Sequence, residues 1–105
     1  MRVLVCGGRN FFSYPIVQMV LDRIHITELC HGGAVGAESL AASYAKANDI
    51  NVFLSKELST RFEKQVDVVV CFPGGEQTNK IKEEAQSRCI PCLCYNDKGL
   101  LIEIE

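Results

Sequence analysis

Residues 1–10, MRVLVCGGRN, contain the pattern that decides the fold: a short apolar run that ends at a pair of glycines. An apolar run of this length with glycines behind it is typical of a buried strand that leads into a loop. Two later apolar runs end in the same way, one at Gly32-Gly33 and the other at Gly74-Gly75. Six of the eight glycines therefore lie in three pairs, and each pair follows a predicted strand.

Helix-like segments alternate with these strand-like runs. Amphipathic spacing of the apolar residues predicts helices over residues 14–26, 36–48 and 77–88. Apolar runs predict strands over residues 1–6, 26–31, 50–54, 66–72 and 90–95, and a sixth strand over residues 100–104. The charged stretch 55–65 contains Thr60-x-x-Glu63, a capping-box pattern that predicts a short helix there.

Strands that alternate with helices favour a parallel sheet covered on both faces. We therefore predict a Rossmann-like three-layer α/β sandwich, formed by one domain over residues 1–105. Its mostly parallel sheet has the order 3-2-1-4-5, with a C-terminal edge strand. In that order the first and fourth strands are neighbours, and the crevice at their carboxyl ends is the expected ligand site.

The composition narrows the range of partners. The formal net charge is −2 and the sequence pI is about 5.7. Neutralising nucleic-acid phosphates requires an excess of Lys and Arg, so we expect no general nucleic-acid binding. We also expect no membrane partner, because no apolar run is long enough to cross a bilayer and the N-terminus lacks the layout of a signal peptide.

Six cysteines could indicate disulfides, a metal site or buried free thiols. Three of them end apolar runs, where a free thiol packs as a small hydrophobe: Cys6, Cys30 and Cys71. The other three form a C-x-x-C-x-C cluster: Cys89, Cys92 and Cys94. A zinc site there would need further ligands from elsewhere, whereas the alternation in the cluster is typical of one strand face. We predict core packing in a reducing cytoplasm, with no metal and no cofactor, and keep metal or redox use as the alternative.

The three glycine pairs lie at one edge of the predicted sheet, and each leads toward a helix. Glycine allows a ligand to approach the backbone closely, and a helix N-terminus attracts anions. We interpret the three loops as a pocket for a phosphate- or ribose-bearing small molecule, although a single pair would be explained by a tight turn alone. A Walker A loop and the dinucleotide fingerprint G-x-G-x-x-G are both absent, so an NAD dehydrogenase is not expected.

The candidate ligand-binding residues lie in these loops: Gly7, Gly8, Arg9, Asn10, Gly32, Gly33, Gly36, Glu38, Pro73, Gly74, Gly75 and Thr78. Arg9 is suited to clamp a phosphate, and Asn10 either binds a ribose hydroxyl or caps a turn. Glu38 stabilises a helix dipole and is also the candidate carboxylate for ribose, and Thr78 contacts phosphate, is an N-cap, or does both. His31 is a general acid or base, or it makes a structural hydrogen bond. No catalytic residue is assigned.

Three segments carry a resemblance to a known family: Val3–Asn10 (VLVCGGRN), His31–Leu40 (HGGAVGAESL) and Phe72–Thr78 (FPGGEQT). Together they resemble the SLOG superfamily of Rossmann-like proteins, and within it the small YspA-like branch (DUF2493), which is found in bacteria and bacteriophages. Relatives include the lonely-guy phosphoribohydrolases and the DNA-processing proteins. The resemblance implies a nucleotide-derived ligand, and for some members cleavage of an N-glycosidic bond.

Two positions depart from the family pattern. Gln77 stands where the motif P-G-G-x-G-T has its third glycine, and Ile81 stands where the hydrolases carry a glutamate. The segment between the third and fourth strands also looks shorter than in the YspA-like branch, which often carries an Arg-Asn pair there; Arg61 is a candidate substitute.

Three functions remain open from the sequence. The first is binding of a nucleotide or ADP-ribose-type ligand, and the second is hydrolysis of a nucleoside monophosphate. The third is sequestration of a nucleotide signal without chemistry, for instance by a viral protein. The apolar edge strand 100–104 offers a surface for a homodimer or higher homo-oligomer.

Overall fold

The computed structural model describes all residues, 1–105, and contains six strands and four helices. The strands are β1 (Arg2–Cys6), β2 (Glu28–His31), β3 (Asn51–Leu54), β4 (Val68–Cys71), β5 (Cys92–Tyr95) and β6 (Leu101–Ile104). The helices are α1 (Tyr14–Leu21), α2 (Ala37–Ala47), α3 (Leu58–Arg61) and α4 (Glu76–Ser87). The predicted alternation of strands and helices is confirmed.

One sheet contains all six strands in the order β3-β2-β1-β4-β5-β6. The first five strands are parallel, and β6 pairs antiparallel with β5 at the edge. The structure thus confirms the Rossmann-like order and the edge strand. β1 and β4 lie side by side with Val5 opposite Val70 and Cys6 opposite Cys71, so the switch point of the sheet lies between them.

The core lies on both faces of the sheet because successive strand residues point to opposite sides. Val3 and Val5 of β1 pack with α1 and α2 on one face. Leu4 and Cys6 pack on the other face with α4, where Ile81 and Ala85 form the buried stripe. This arrangement gives the three predicted layers.

Five cysteines belong to the core cluster on the α4 side of the sheet: Cys6, Cys30, Cys71, Cys92 and Cys94. The Sγ atoms of Cys6 and Cys71 are 3.3 Å apart, in neighbouring strands. Burial raises the pKa of Cys30 to about 11, so its thiol is protonated at neutral pH. Only Cys89 is exposed. The prediction of core packing is confirmed for the five buried thiols.

Three local predictions were wrong. α1 ends at Leu21 rather than at residue 26, because the chain turns there and the amide of Ile24 bonds to the carbonyl of Leu21 at 3.1 Å. Thr60 lies inside α3 and does not begin it, since Glu57 is the N-cap. Gly75 is the N-cap of α4, so Thr78 is a buried residue of its first turn and not its cap.

No helix of the structure is both long and apolar enough to span a membrane.

Candidate functional site

A cleft of about 250 Å³ opens at the carboxyl ends of β1 and β4, and we call it the site cleft. It lies at the switch point, where ligands bind in open α/β sheets. Five parts of the chain line it: the loop after β1, the loop after β2, the start of α2, α3, and the first turns of α4. The lining residues are Gly7, Gly8, Arg9, Ala34, Glu38, Arg61, Gly75, Glu76, Gln77, Thr78 and Ile81.

The glycine loops around the site cleft are packed against one another. The amide of Gly8 donates to the carbonyl of Pro73 at 2.7 Å, which joins the loops after β1 and β4. The carbonyl of Gly8 in turn accepts the amide of Ala37 at 3.3 Å, at the start of α2. Gly36 has φ of +89°, and a side chain there would collide with the carbonyl oxygen of Gly8. Only glycine allows this close approach.

The N-terminus of α4 presents free backbone donors at the site cleft. The first amide of this region that donates within the chain is that of Asn79, to the carbonyl of Gly75 at 3.1 Å. The amides of residues 75–78 have no partner in the chain, and all four residues line the cleft. Unpaired amides at a helix N-terminus, together with the helix dipole, form a binding position for an anion.

Two guanidinium groups line the same cleft, and neither forms an ion pair. Arg9 is exposed on the loop after β1. Arg61 is held in place by backbone carbonyls, because its Nε donates to Ser55 at 2.7 Å and its Nη2 to Lys56 at 3.2 Å. Its guanidinium lies against Gly32, in space that a Cβ atom at this position would fill. Both positive charges therefore remain available to a ligand.

Glu38 provides the only buried carboxylate of the cleft, since its residue is 5% exposed. One oxygen, Oε1, accepts the amide of Gly32 at 2.5 Å, and this bond fixes the side chain. Glu38 therefore offers its second oxygen as a rigidly held acceptor.

His31 is buried at the end of β2, directly before the glycine whose amide bonds to Glu38. Its Nδ1 accepts the amide of Gly33 at 3.0 Å, so the neutral ring carries its proton on Nε2. Burial lowers the pKa of His31 below its ordinary value, a shift opposed by the charge of Glu38 and assisted by that of Arg61. The imidazole is therefore neutral at pH 7, and it makes the structural hydrogen bond that the sequence left as one of two alternatives.

The structure brings together six of the residues proposed from the sequence. They line the site cleft: Gly7, Gly8, Arg9, Glu38, Gly75 and Thr78. Asn10, Pro73 and Gly74 line an adjoining groove of about 370 Å³. Gly32, Gly33 and Gly36 line neither space. The amide of Gly32 bonds to Glu38 and that of Gly33 bonds to His31. Gly36 packs against the loop after β1.

Sequence reasoning missed four lining residues: Ala34, Glu76, Gln77 and Ile81. Ala34 follows the second glycine pair and Glu76-Gln77 follow the third. Their position directly after a glycine pair could have indicated that they line the cleft. Ile81 was predicted on the inner stripe of the helix, and it is buried there, but it also reaches the cleft. The position at which the resemblance expects a hydrolase glutamate thus faces the site and is apolar.

A family model, that of the YspA, cpYpsA-related SLOG family, matches residues 1–57 of the chain. The chain belongs to this SLOG family. No curated protein matches it. The match covers β1 to β3 and the first two glycine pairs, and therefore includes Arg9 and Glu38. Arg61 and the third glycine loop lie beyond the matched residues, so the site cleft of this SLOG protein combines matched and unmatched parts.

Proposed function

We propose that this protein binds a nucleotide or ADP-ribose-type ligand in the site cleft and does not cleave it. The observation that carries the proposal is the convergence of two unpaired guanidinium groups, Arg9 and Arg61, with the N-terminus of α4. In this account the ligand's phosphate bonds to the free amides of residues 75–78, and the two guanidinium groups bind its outer oxygens.

The charge distribution favours a sugar phosphate over a bare anion. The chain as a whole is acidic, with a net charge of −2, yet Arg9 and Arg61 are concentrated at one cleft. Glu38 lies near Arg61, since both meet Gly32, and its carboxylate repels an anion and accepts a hydroxyl donor. A ligand that carries a further hydroxyl group beside its phosphate, as the terminal ribose of ADP-ribose does, satisfies both the guanidinium groups and Glu38.

The hydrolase alternative is less favoured because Ile81 is apolar where the resembling enzymes carry their glutamate. Glu38 is a remaining carboxylate, but one of its oxygens is already bonded to Gly32. Incubating the protein with nucleoside monophosphates should therefore release no free base, as measured by chromatography. Release of base that is abolished by Glu38→Gln would instead establish hydrolysis.

A thermal-shift screen with AMP, ADP-ribose and cyclic dinucleotides tests binding directly. At a ligand concentration 100 times Kd the stabilisation is about 2.7 kcal/mol, which raises Tm by roughly 10 °C or more in a domain of this size. Arg9→Ala should remove most of that rise, because a charge-assisted hydrogen bond to phosphate contributes about 1.5–3 kcal/mol.

Arg23→Ala is the matched control, since Arg23 is an exposed arginine that does not line the cleft. It should leave the thermal shift unchanged. A shift that survives Arg9→Ala, or that falls equally with Arg23→Ala, would remove Arg9 from the site. The absence of any shift across the panel would contradict the proposed function.

A further inference from the structure

A second cavity, larger than the site cleft, lies on the far side of the loop after β4, and we call it the outer pocket. Its volume is about 430 Å³. It opens at the carboxyl ends of β4 and β5, and Ile102 of the edge strand β6 forms one of its walls. None of the functions derived above uses it.

The outer pocket has an aromatic and apolar floor. Tyr95 is half-buried and presents its ring to the pocket, while Phe72, at 1% exposed, supports that ring from the core, with centroids 6.2 Å apart and planes inclined by 29°. Ile102 adds an apolar wall although its residue is 64% exposed, so part of its side chain is uncovered. Flat aromatic and aliphatic surfaces of this kind bind planar heterocycles.

A few polar groups stand at the rim of this apolar floor. Asn79 of α4 and Asn96 and Asp97 of the turn after β5 line the pocket. The Oδ1 atom of Asn96 accepts the amides of Lys98 and Leu100, at 2.9 and 3.0 Å, which orients its NH₂ group as a free donor. An apolar cavity with a small number of fixed polar groups is the usual construction of a site that binds and orients a small molecule.

The groove that adjoins the site cleft connects it with the outer pocket. This groove shares Gly8, Arg9 and Gly75 with the cleft. It shares Pro73, Gly74 and Asp97 with the outer pocket. A ligand that crosses the loop after β4 can therefore occupy both ends. The cleft alone, at about 250 Å³, is smaller than the roughly 300–1,000 Å³ of most small-molecule sites.

We infer that the outer pocket receives the nucleobase of the ligand, while the phosphate lies at the N-terminus of α4 and the linking sugar crosses Pro73–Gly74. The inference rests on the proposed function and extends it. It predicts that the protein recognises a whole nucleotide, with base and phosphate held on opposite sides of one loop. The edge strand β6 would then belong to the binding site through Ile102.

Calorimetric titration with AMP, GMP, CMP, UMP and ribose 5-phosphate separates the base from the phosphate. At least one nucleotide should bind about tenfold more tightly than ribose 5-phosphate, which corresponds to about 1.4 kcal/mol. If ribose 5-phosphate binds and no nucleotide exceeds it, the base pocket is wrong while the proposed phosphate site stands. If none of the five binds, the base pocket is wrong, and the proposed function fails as well only if ADP-ribose and the cyclic dinucleotides also give no thermal shift.

Ile102→Ser tests the pocket itself, and Ile104→Ser is its matched control. Both isoleucines are exposed on β6, at 64% and 65%, but only Ile102 lines the outer pocket. Ile102→Ser should remove most of the nucleotide's advantage and leave ribose 5-phosphate binding unchanged, whereas Ile104→Ser should change neither. Equal effects of the two variants on nucleotide binding, or an unaltered advantage with Ile102→Ser, would overturn the inference.

Discussion

The guanidinium group of Arg61 occupies the space that a side chain at position 32 would need. Gly32 follows β2, and Arg61 ends α3, so two distant parts of the sequence meet at the wall of the site cleft. The amide of the same glycine bonds to Glu38. Because Gly32 has no side chain, the Arg61 guanidinium and the Glu38 carboxylate can both lie beside it in the site cleft.

Gly32→Ala should weaken nucleotide binding with little loss of stability. The new methyl group would displace the far end of a flexible arginine, at a cost below about 1 kcal/mol in the free energy of unfolding. Arg61 would leave the cleft, and affinity should fall roughly tenfold, as it should for Arg61→Ala. Calorimetry and urea denaturation measure the two effects.

The double variant Gly32→Ala with Arg61→Ala distinguishes this account from a simple backbone effect. If the alanine acts by displacing Arg61, the two losses of affinity should not add, because both remove the same contact. Additive losses would mean that Gly32 acts on the ligand by another route.

Gly36→Ala should be strongly destabilising. Gly36 has φ of +89° and ψ of −132°, a region that only glycine adopts readily, and a Cβ atom would collide with the backbone at Gly8. We expect a loss of about 3 kcal/mol or more in the free energy of unfolding. Gly75→Ala is the comparison, since a Cβ there meets no atom within 4 Å. A similar cost at both positions would contradict the packing of these loops.

His31 should make the protein less stable as the pH falls through the histidine range. Burial lowers the pKa of His31 in the folded state, so the unfolded chain takes up the proton first. The stabilising contribution is fully present above about pH 6.5 and is lost progressively as the pH falls below it toward the lowered folded value. Urea denaturation at a series of pH values measures this dependence.

His31→Asn should reduce that slope, because asparagine still accepts the amide of Gly33 but does not titrate. His25→Asn provides the control at an exposed histidine. An unchanged pH dependence with His31→Asn would show that His31 is not the responsible group.

Tyr44 connects α2 to the end of α1, because its hydroxyl donates to Asp22 at 2.6 Å. Burial, followed by this hydrogen bond and the charge of Asp22, raises the pKa of Tyr44 to about 12. The folded protein therefore retains a proton that the unfolded chain loses near pH 10, and stability should fall as the pH rises from about 10 to 12.

Tyr44→Phe should lower the free energy of unfolding by about 1 kcal/mol at pH 7 and flatten the alkaline fall. Chemical denaturation at pH 7 and at pH 11 checks both effects. A variant as stable as the wild type at pH 7 would mean that the hydrogen bond contributes nothing measurable.

The sheet could be predicted from the sequence because its strands are apolar runs, three of which lead into a glycine pair. The ends of the helices could not be predicted in this way. Ile24 continues the spacing of α1, yet it packs against the core from a turn, and hydrophobic periodicity does not distinguish these two conformations. The capping-box pattern at Thr60 failed for a related reason, since Glu57 already caps α3.

The candidate site also has a part that could be predicted from the sequence and a part that could not. Arg9, Glu38 and Gly75 could be placed at the cleft because each lies within a few residues of a glycine pair at a strand end. The approach of Arg61 to Gly32 depends on how a short segment folds back across the sheet edge, and the outer pocket depends on where β6 pairs. Such contacts between distant residues leave no local pattern.

The most direct test of the central claim is a titration of the ¹⁵N-labelled protein with AMP, followed by the chemical shifts of the backbone amides. The account predicts that the largest changes occur at Arg9 and at residues 75–78, since these four residues carry the free donors at the N-terminus of α4 and Arg9 faces the same cleft. Saturating AMP that leaves these amides unshifted, or that shifts chiefly residues of α1 and β3, would contradict it.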